Sequence, residues 1–285
     1  MRELKEKVAV VTGAASGIGR ALATRFAAEE MRVVLADVEA GALETVRAEL
    51  AATGREVLAV RTDVSQADDV QQLAEAALAA FGKIHVVCNN AGVFSGGRSW
   101  QAPLSDYEWV LGVNQWGVIH GIRTFVPILL AQGEPAHIVN TASMAAVTSA
   151  PYAAAYYMSK HAVLTLSETL YHELALENCP IGVSVLCPEL INTGIGHSQR
   201  NRPAHLERGA LADDSGREMV EGALKEMVYT GLAPAEMAGR VVAAILENRF
   251  YILSQPGGRW RAACDERLED IRLARNPTLS LSGGN

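Results

Sequence analysis

The chain has 285 residues, 49% of them hydrophobic and 20% charged, an ordinary globular composition with enough length for one large core. A formal charge of −7, with no run of five basic residues, argues against a nucleic-acid or membrane-surface partner. No apolar run reaches the roughly 18 residues of a spanning helix, and Met1–Lys7 leads into a strand without the apolar stretch of a secretory signal. Cys88, Cys179, Cys187 and Cys264 have neither metal-ligand nor Cys-x-x-Cys spacing, so no metal is expected and a cytoplasmic setting is.

Residues 7–12, Lys-Val-Ala-Val-Val-Thr, predict a buried strand. The turn Gly13-Ala14-Ala15-Ser16-Gly17-Ile18-Gly19 follows, then helical spacing at Ile18, Ala21, Leu22 and Phe26. Strand, glycine turn and helix start make an anion site, because the glycines admit a pyrophosphate and the helix start offers free N–H groups. The spacing is Gly-x-x-x-Gly-x-Gly rather than Gly-x-Gly-x-x-Gly, and by itself it also fits a plain tight turn. A second strand, residues 32–36, ends at Asp37, 18 residues past Gly19, near where a ribose-binding carboxylate stands in dinucleotide folds. Such an acid repels a 2′-phosphate; Val38 follows it and no Lys or Arg lies at 14–16, so NAD is favoured over NADP. The same Asp37 also reads as a cap for a helix over 39–53.

Residues 56–62 predict the third strand, ending at Asp63-Val64, with Ser65 capping a helix over 66–80. Residues 84–88 predict the fourth, ending in Asn89-Asn90-Ala91-Gly92. Ser105 is expected to cap a helix over 106–130, which carries Asn114 on an apolar face and is expected to kink or break at Pro127. The fifth strand, 136–141, precedes Ala142-Ser143-Met144-Ala145. A helix over 153–177 carries Tyr156 and Lys160 one turn apart on one face, with Tyr157 turned about 100° away. A phenol held near an ammonium is a candidate proton donor and acceptor, because a close cation favours the phenolate. The sixth strand, 181–186, ends in Cys187-Pro188-Glu189-Leu190-Ile191-Asn192-Thr193.

Six alternations of strand and helix predict an α/β fold with a doubly wound parallel sheet and helices on both faces. Ligands bind at the carboxyl ends of such strands, where Gly13, Asp37, Asp63, Asn89, Ser143 and Pro188 all fall. Residues 194–217 are glycine-rich and aperiodic, the mark of a functional or disordered loop. Helices over 218–229 and 234–247, a seventh strand over 249–253 and a charged helix over 259–275 follow. Residues 1–285 are read as a single domain, with 194–230 as a substrate lid and 276–285 as a loose tail.

The chain resembles the short-chain dehydrogenase/reductase family in its common form of about 250 residues. The resemblance is carried by Thr12-Gly13-(x3)-Gly17-Ile18-Gly19, Asp63-Val64, Asn89-Asn90-Ala91-Gly92, Asn114, Ser143 and Tyr156-(x3)-Lys160. It implies a seven-stranded Rossmann sheet and hydride exchange with NAD(H). It implies Tyr156 as general acid/base, Lys160 as the cation that lowers its pKa, Ser143 on the substrate oxygen, and Asn114 holding a relay water. It implies Gly13, Ser16, Gly17, Ile18 and Gly19 at the pyrophosphate, Asp37 and Val38 at the adenosine ribose, and Asp63 and Val64 at the adenine. Asn90, Ala91 and Gly92 would floor the cleft, and Pro188, Ile191 and Thr193 would meet the nicotinamide. The family usually has Pro-Gly after the sixth strand; here it is Pro188-Glu189, so Glu189 either turns to solvent or meets the substrate.

Phe94, Trp100, Met144, Ala145, Val147, Tyr152, Leu190 and Ile195 are the other candidate pocket residues. They point to a hydrophobic secondary alcohol or ketone, aryl or cyclic, and the segment from Phe250 onward looks like that of members oxidising lignin-derived aryl alcohols. The resemblance also implies a homo-oligomer, dimer or tetramer, through the helices over 106–130 and 153–177. The competing readings are an NADPH-dependent carbonyl reductase, disfavoured by Asp37, and a silent NAD-binding sensor, which would show a broken Ser-Tyr-Lys set.

Overall fold

Seven β-branched or apolar runs become seven parallel strands in the order β3-β2-β1-β4-β5-β6-β7. They are β1 Val8–Thr12, β2 Arg32–Asp37, β3 Val57–Arg61, β4 Val86–Asn89, β5 Ala136–Thr141, β6 Ile181–Cys187 and β7 Tyr251–Leu253. The helices are α1 Gly17–Ala28, α2 Ala40–Ala51, α3 Ala67–Phe81, α4 Leu104–Leu111, α5 Gly117–Gln132, α6 Ala154–Leu176, α7 Ser215–Tyr229, α8 Pro234–Glu247 and α9 Arg259–Arg272. The computed structural model describes residue 1 and residues 3–208, 214–254 and 259–279.

Alternation along each strand builds two cores. Ala9, Val11, Val33 and Leu35 pack under Leu22 and Phe26 of α1 and Val241 and Ile245 of α8. Val8, Val10 and Val34 pack under Leu73 of α3, Phe125 of α5 and Leu170 of α6. Phe26 and Phe125 are fully buried, each contributing roughly 1.5–3 kcal/mol of transfer free energy. Strand order reverses between β1 and β4, and the crevice opens there, at the carboxyl ends.

Local chemistry moved several expected boundaries. Ser65 does not cap α3: its Oγ donates to Asp63 Oδ1 at 2.7 Å, and its N–H donates to the same oxygen at 3.0 Å. This Asx-type turn leaves α3 to begin at Ala67, with Asp68 and Asp69 supplying negative charge to its first turn. Ser105 lies inside α4, where it is contacted by Arg202 at 3.2 Å, and Pro103 takes the N-cap position. The expected helix over 106–130 is interrupted at a π-turn, Gly112–Trp116, and not at Pro127, which α5 carries within it. Asn114 sits in the middle of that π-turn, a kind of insertion that clusters at functional sites.

Residues 194–206 are ordered as two short 3₁₀ segments, Gly194–Asn201 and Ala204–Leu206, and α7 begins at Ser215, three residues before the expected start. Part of the expected loop, residues 209–213, lies outside the described residues, as do 280–285 of the expected tail. Residues 276–279 are exposed, yet Thr278 N–H donates to Asp270 at 2.9 Å. Among the described residues, no helix is long and apolar enough to cross a membrane.

Candidate active site

One cleft of about 1250 Å³ runs along the carboxyl ends of the strands, from Asp37, Val38, Asp63 and Val64 past the glycine turn to Ser143, Tyr156 and Lys160. The turn is shaped by backbone needs. Gly13 has φ +69° and a Cβ there would stand 2.9 Å from Ala91 Cα. Gly17 has φ +52°, a left-handed conformation that costs glycine nothing. Gly19 does not line the cleft; a Cβ on it would overlap the Gly13 carbonyl, so this glycine lets α1 close onto β1. Ser16 stands at the N-cap of α1 without a side-chain bond to it, which leaves the first N–H groups of the helix for an anion.

Asp37 is 9% exposed; its Oδ2 accepts from Ala15 N–H and its Oδ1 from Glu39 N–H, each at 3.0 Å. The carboxylate thus ties the glycine turn to the end of β2. Arg200 reaches across from the segment after β6 to pair with Glu39 at 2.8 Å, and Asn201 donates to the same oxygen at 2.8 Å. Burial works to raise the Glu39 carboxyl, but these two partners outweigh it and hold it below its usual value.

Asn90 clamps three strands: its Nδ2 donates to Thr12 O at 3.0 Å, its N–H to Thr12 Oγ1 at 2.9 Å, and its Oδ1 accepts from Thr141 Oγ1 at 3.3 Å. Lys160 sits on the same clamp, donating to Thr141 O at 3.0 Å. It is 3% exposed, and burial pulls its pKa down to about 8. Its Nζ lies 5.6 Å from the Tyr156 ring centroid, so the pair shares one face of α6 as the spacing requires. Ser143 follows β5 and lines the same cleft, its Oγ accepting from Ala145 N–H at 3.1 Å. Burial pushes the Tyr156 phenol up to about 12, outweighing the lowering influence of the nearby Ser143 hydroxyl. The lysine charge is itself disfavoured by burial and directed at Thr141 O.

Asn114 is fully buried and does not line the cleft. Its Oδ1 accepts from Val93 N–H at 2.8 Å, and its Nδ2 donates to Val93 O at 3.0 Å and Ser159 Oγ at 3.1 Å. Ser159 in turn donates to Tyr156 O at 2.7 Å. The amide thus fixes α6 against the loop after β4. Gly92 stands beside it, where a Cβ would lie 3.5 Å from Asn114 Oδ1 and 3.6 Å from Lys160 Nζ.

Ser16, Gly17, Ile18, Asn90, Ala91, Gly92, Pro188, Ile191 and Thr193 line the cleft as expected from their strand-end positions. Phe94, Met144, Ala145, Tyr152, Glu189, Leu190 and Ile195 line it as well. Phe94 meets the Tyr156 ring edge-on at 5.1 Å. Trp100 does not belong: it lies in the turn before α4, 79% exposed and outside the cleft. Val147 packs instead into the cluster with Val118, Val163 and Val185. Glu189 needs no glycine conformation, since its φ is not positive; its N–H donates to Ser254 Oγ at 2.9 Å.

Sequence reasoning placed a substrate lid over 194–230 without singling out its residues: Met219, Val220, Ala223, Leu224 and Met227 of α7 face the cleft, with Trp260 and Leu279 nearby. Their i, i+1, i+4, i+5, i+8 spacing was visible in the sequence as an apolar stripe.

Comparison with known proteins agrees with this geometry. The short chain dehydrogenase family profile matches residues 7–204. A 1-deoxy-11-beta-hydroxypentalenate dehydrogenase of Streptomyces avermitilis is 45% identical over 260 residues, 90% of this chain and 88% of the relative. A C alpha-dehydrogenase of Sphingobium is 32% identical over 257 residues, 90% and 83% of the two chains. The crystal structure of a short chain dehydrogenase/reductase from Burkholderia phymatum in complex with NAD superposes with a TM-score of 0.95 at 48% identity, covering 98% of each chain. With a glycine turn, a strand-end acid and a Ser-Tyr-Lys set along one cleft, the chain belongs to the short-chain dehydrogenase/reductase family, oxidoreductases that use a nicotinamide cofactor on hydroxyl and keto groups.

Proposed function

We propose that the protein is an NAD(H)-dependent dehydrogenase that interconverts a hydrophobic, cyclic or aryl secondary alcohol and its ketone. The observation that carries this reading is the convergence of Ser143, Tyr156 and Lys160 at the end of a cleft whose other end is closed by Asp37. The nicotinamide, when bound, supplies the hydride chemistry. The chain's own residues hold it and move one proton. The open N–H groups of α1 and the Gly13–Gly17 turn receive the pyrophosphate, and Asp37 and Val38 the ribose, with Asp63 and Val64 beside the adenine. Asn90, Ala91, Gly92, Pro188, Ile191 and Thr193 border the nicotinamide end. Tyr156 exchanges the proton at the substrate oxygen, Ser143 hydrogen-bonds that oxygen, and Lys160 favours the phenolate once its charge is retained. Asn114 acts through position, since its amide already has three protein partners.

Three observations support NAD over NADP. Asp37 presents a carboxylate where a 2′-phosphate would sit. Arg61, at the neighbouring strand end, is paired with Asp69 at 3.6 Å. The Burkholderia neighbour was crystallised with NAD. Apolar lining from Phe94, Met144, Leu190 and α7 favours a hydrophobic substrate; one relative is by name a hydroxypentalenate dehydrogenase and another a C alpha-dehydrogenase. Exposed Trp116, Leu130, Met158 and Leu176 along the π-turn, α5 and α6 support self-association into a dimer or tetramer. Buried Cys88 and Cys187 as free thiols suit the reducing cytoplasm.

Turnover of a panel of secondary alcohols with NAD⁺ and with NADP⁺ tests the reading. NAD⁺ should be preferred, and Asp37→Asn should narrow the preference by about tenfold, the loss of a charged hydrogen bond to the ribose. A wild-type enzyme that prefers NADP⁺ would overturn the cofactor assignment.

A further inference from the structure

The outer wall of the cleft is one face of α7, and the adjoining face of that helix is anchored by a buried ionic cluster centred on Asp106. Asp106, in the first turn of α4, is 2% exposed. Arg202 Nη1 reaches it at 2.5 Å, Arg217 Nη2 at 3.4 Å and Arg208 Nε at 3.6 Å. All three arginines come from the segment that includes the start of α7. Each is held a second time. Arg202 donates to Ser105 and to Leu206 O and lies 5.0 Å over the Trp109 ring. Arg208 pairs with Glu221 of α7 at 2.7 Å and donates to Ser95 Oγ at 2.7 Å. Arg217 donates to Gly96 O at 3.3 Å and pairs with Asp214 at 3.1 Å. Glu221 also accepts from Gly96 N–H at 3.1 Å. Burial works to lower the Arg208 pKa, but Glu221, Asp106 and Asp214 outweigh it, so the guanidinium stays charged.

Buried ion clusters stabilise poorly compared with apolar packing of equal volume. What this one does supply is a fixed position. It fastens the first two turns of α7 to α4 and to residues 95–96, while Met219, Val220, Ala223, Leu224 and Met227 face the cleft. The fit is close on the cleft side too. Gly216 rests on the Tyr152 ring, where a Cβ would come within 2.8 Å of Cδ1, and Tyr152 has φ +66°, a conformation rare for an aromatic residue. Gly97 N–H donates to Tyr152 O at 2.8 Å and helps hold it there. Helix α7 is thus set against Tyr152, in the turn that leads into α6 and Tyr156.

We propose that Asp106, outside the cleft, is the positioning residue that holds α7, part of the substrate lid expected over 194–230, in place as the wall against the apolar body of the substrate. The inference rests on the dehydrogenase reading above. Flexible methionine side chains at Met219 and Met227 suit an irregular, bulky alicyclic body.

The test uses the full-length enzyme with NAD⁺ and two alcohols, cyclohexanol and a fused two-ring decalin alcohol, and reads the large-over-small ratio of kcat/KM. Ala223→Leu, which fills the wall, should lower the ratio by about tenfold or more. Asp106→Asn should lower it by a similar factor, through KM for the large alcohol, because a wall displaced by about 1 Å misplaces what it holds. NADH affinity should stay within about twofold, which general unfolding would not allow. Glu221→Gln weakens the same anchor without removing the central carboxylate, and decides the matter if Asp106→Asn does not fold. An unchanged ratio in Ala223→Leu overturns the wall. A ratio that moves there but in neither anchor variant overturns the role of Asp106. Failure of the wild type to oxidise any alcohol with either dinucleotide overturns the activity itself, and the inference with it.

Discussion

Removing the lysine charge with Lys160→Met should move the pH dependence of alcohol oxidation rather than merely reduce it. The Lys160 ammonium stands 5.6 Å from the Tyr156 ring centroid, inside a site where both groups are buried. At an effective dielectric of about 20, a unit charge at that separation is worth about 3 kcal/mol to a phenolate, or about 2 pKa units. Burial already pushes the phenol up to about 12, so the enzyme needs that charge to reach useful phenolate near neutrality. The charge is itself lost as pH rises through about 8, where Lys160 stands in the free enzyme. Its help is therefore greatest below that pH, and the variant should be most impaired there. The assay is kcat/KM for alcohol oxidation across roughly pH 6–10, which reports groups of the free enzyme. The acid limb should rise by about 2 units in the variant, with a rate deficit of about a hundredfold at neutral pH that shrinks as pH rises. A deficit of equal size at every pH, with the limb in place, would refute the electrostatic reasoning and leave Lys160 a purely orienting group.

Two further outcomes follow from packing. Gly19→Ala should lower the melting temperature and weaken NADH binding at least about tenfold, because the new methyl overlaps the Gly13 carbonyl, a backbone group that cannot step aside; thermal melts with and without NADH check it, and wild-type values in both would contradict it. His137 is fully buried with its Nδ1 unpartnered, and burial pulls its pKa from 6.5 to about 3. The unfolded chain binds a proton there as pH falls below 6.5 while the native state does not, so stability is complete above 6.5 and is lost progressively down to about pH 3. At pH 5 the loss is on the order of 2 kcal/mol. Urea unfolding of His137→Gln should show a smaller drop from pH 7 to 5 than wild type, and an identical drop would remove His137 from the acid response.

The parts of the molecule legible in the sequence were those with a strong local cause. The β-branched runs gave six strands at nearly their observed bounds, and Pro234 and the apolar period after it gave α8. The dinucleotide end was legible because glycine, Asp37 and Asn90 stand at strand ends whose chemistry is local. Ser65 misled because Asp63, two residues earlier, offered its hydroxyl and N–H a nearer acceptor. The π-turn at Gly112–Trp116 has no local signal comparable to Pro127, and becomes explicable only when Asn114 is seen clasping Val93 from both sides. Trp100 read as a pocket residue because aromatic character says nothing about direction. The α7 wall and the Asp106 cluster join residues about a hundred positions apart, a pairing that no spacing rule within one segment encodes.

The claim on which the account turns is that Tyr156 carries the proton while the cofactor is held by other groups. The direct measurement is Tyr156→Phe, with the rate of NADH formation from an oxidisable secondary alcohol and the NADH dissociation constant read on the same preparation. Loss of one catalytic proton donor predicts a fall of at least about a hundredfold in turnover with NADH binding within about twofold of wild type. Turnover near the wild-type rate, or loss of cofactor binding in step with turnover, would contradict it.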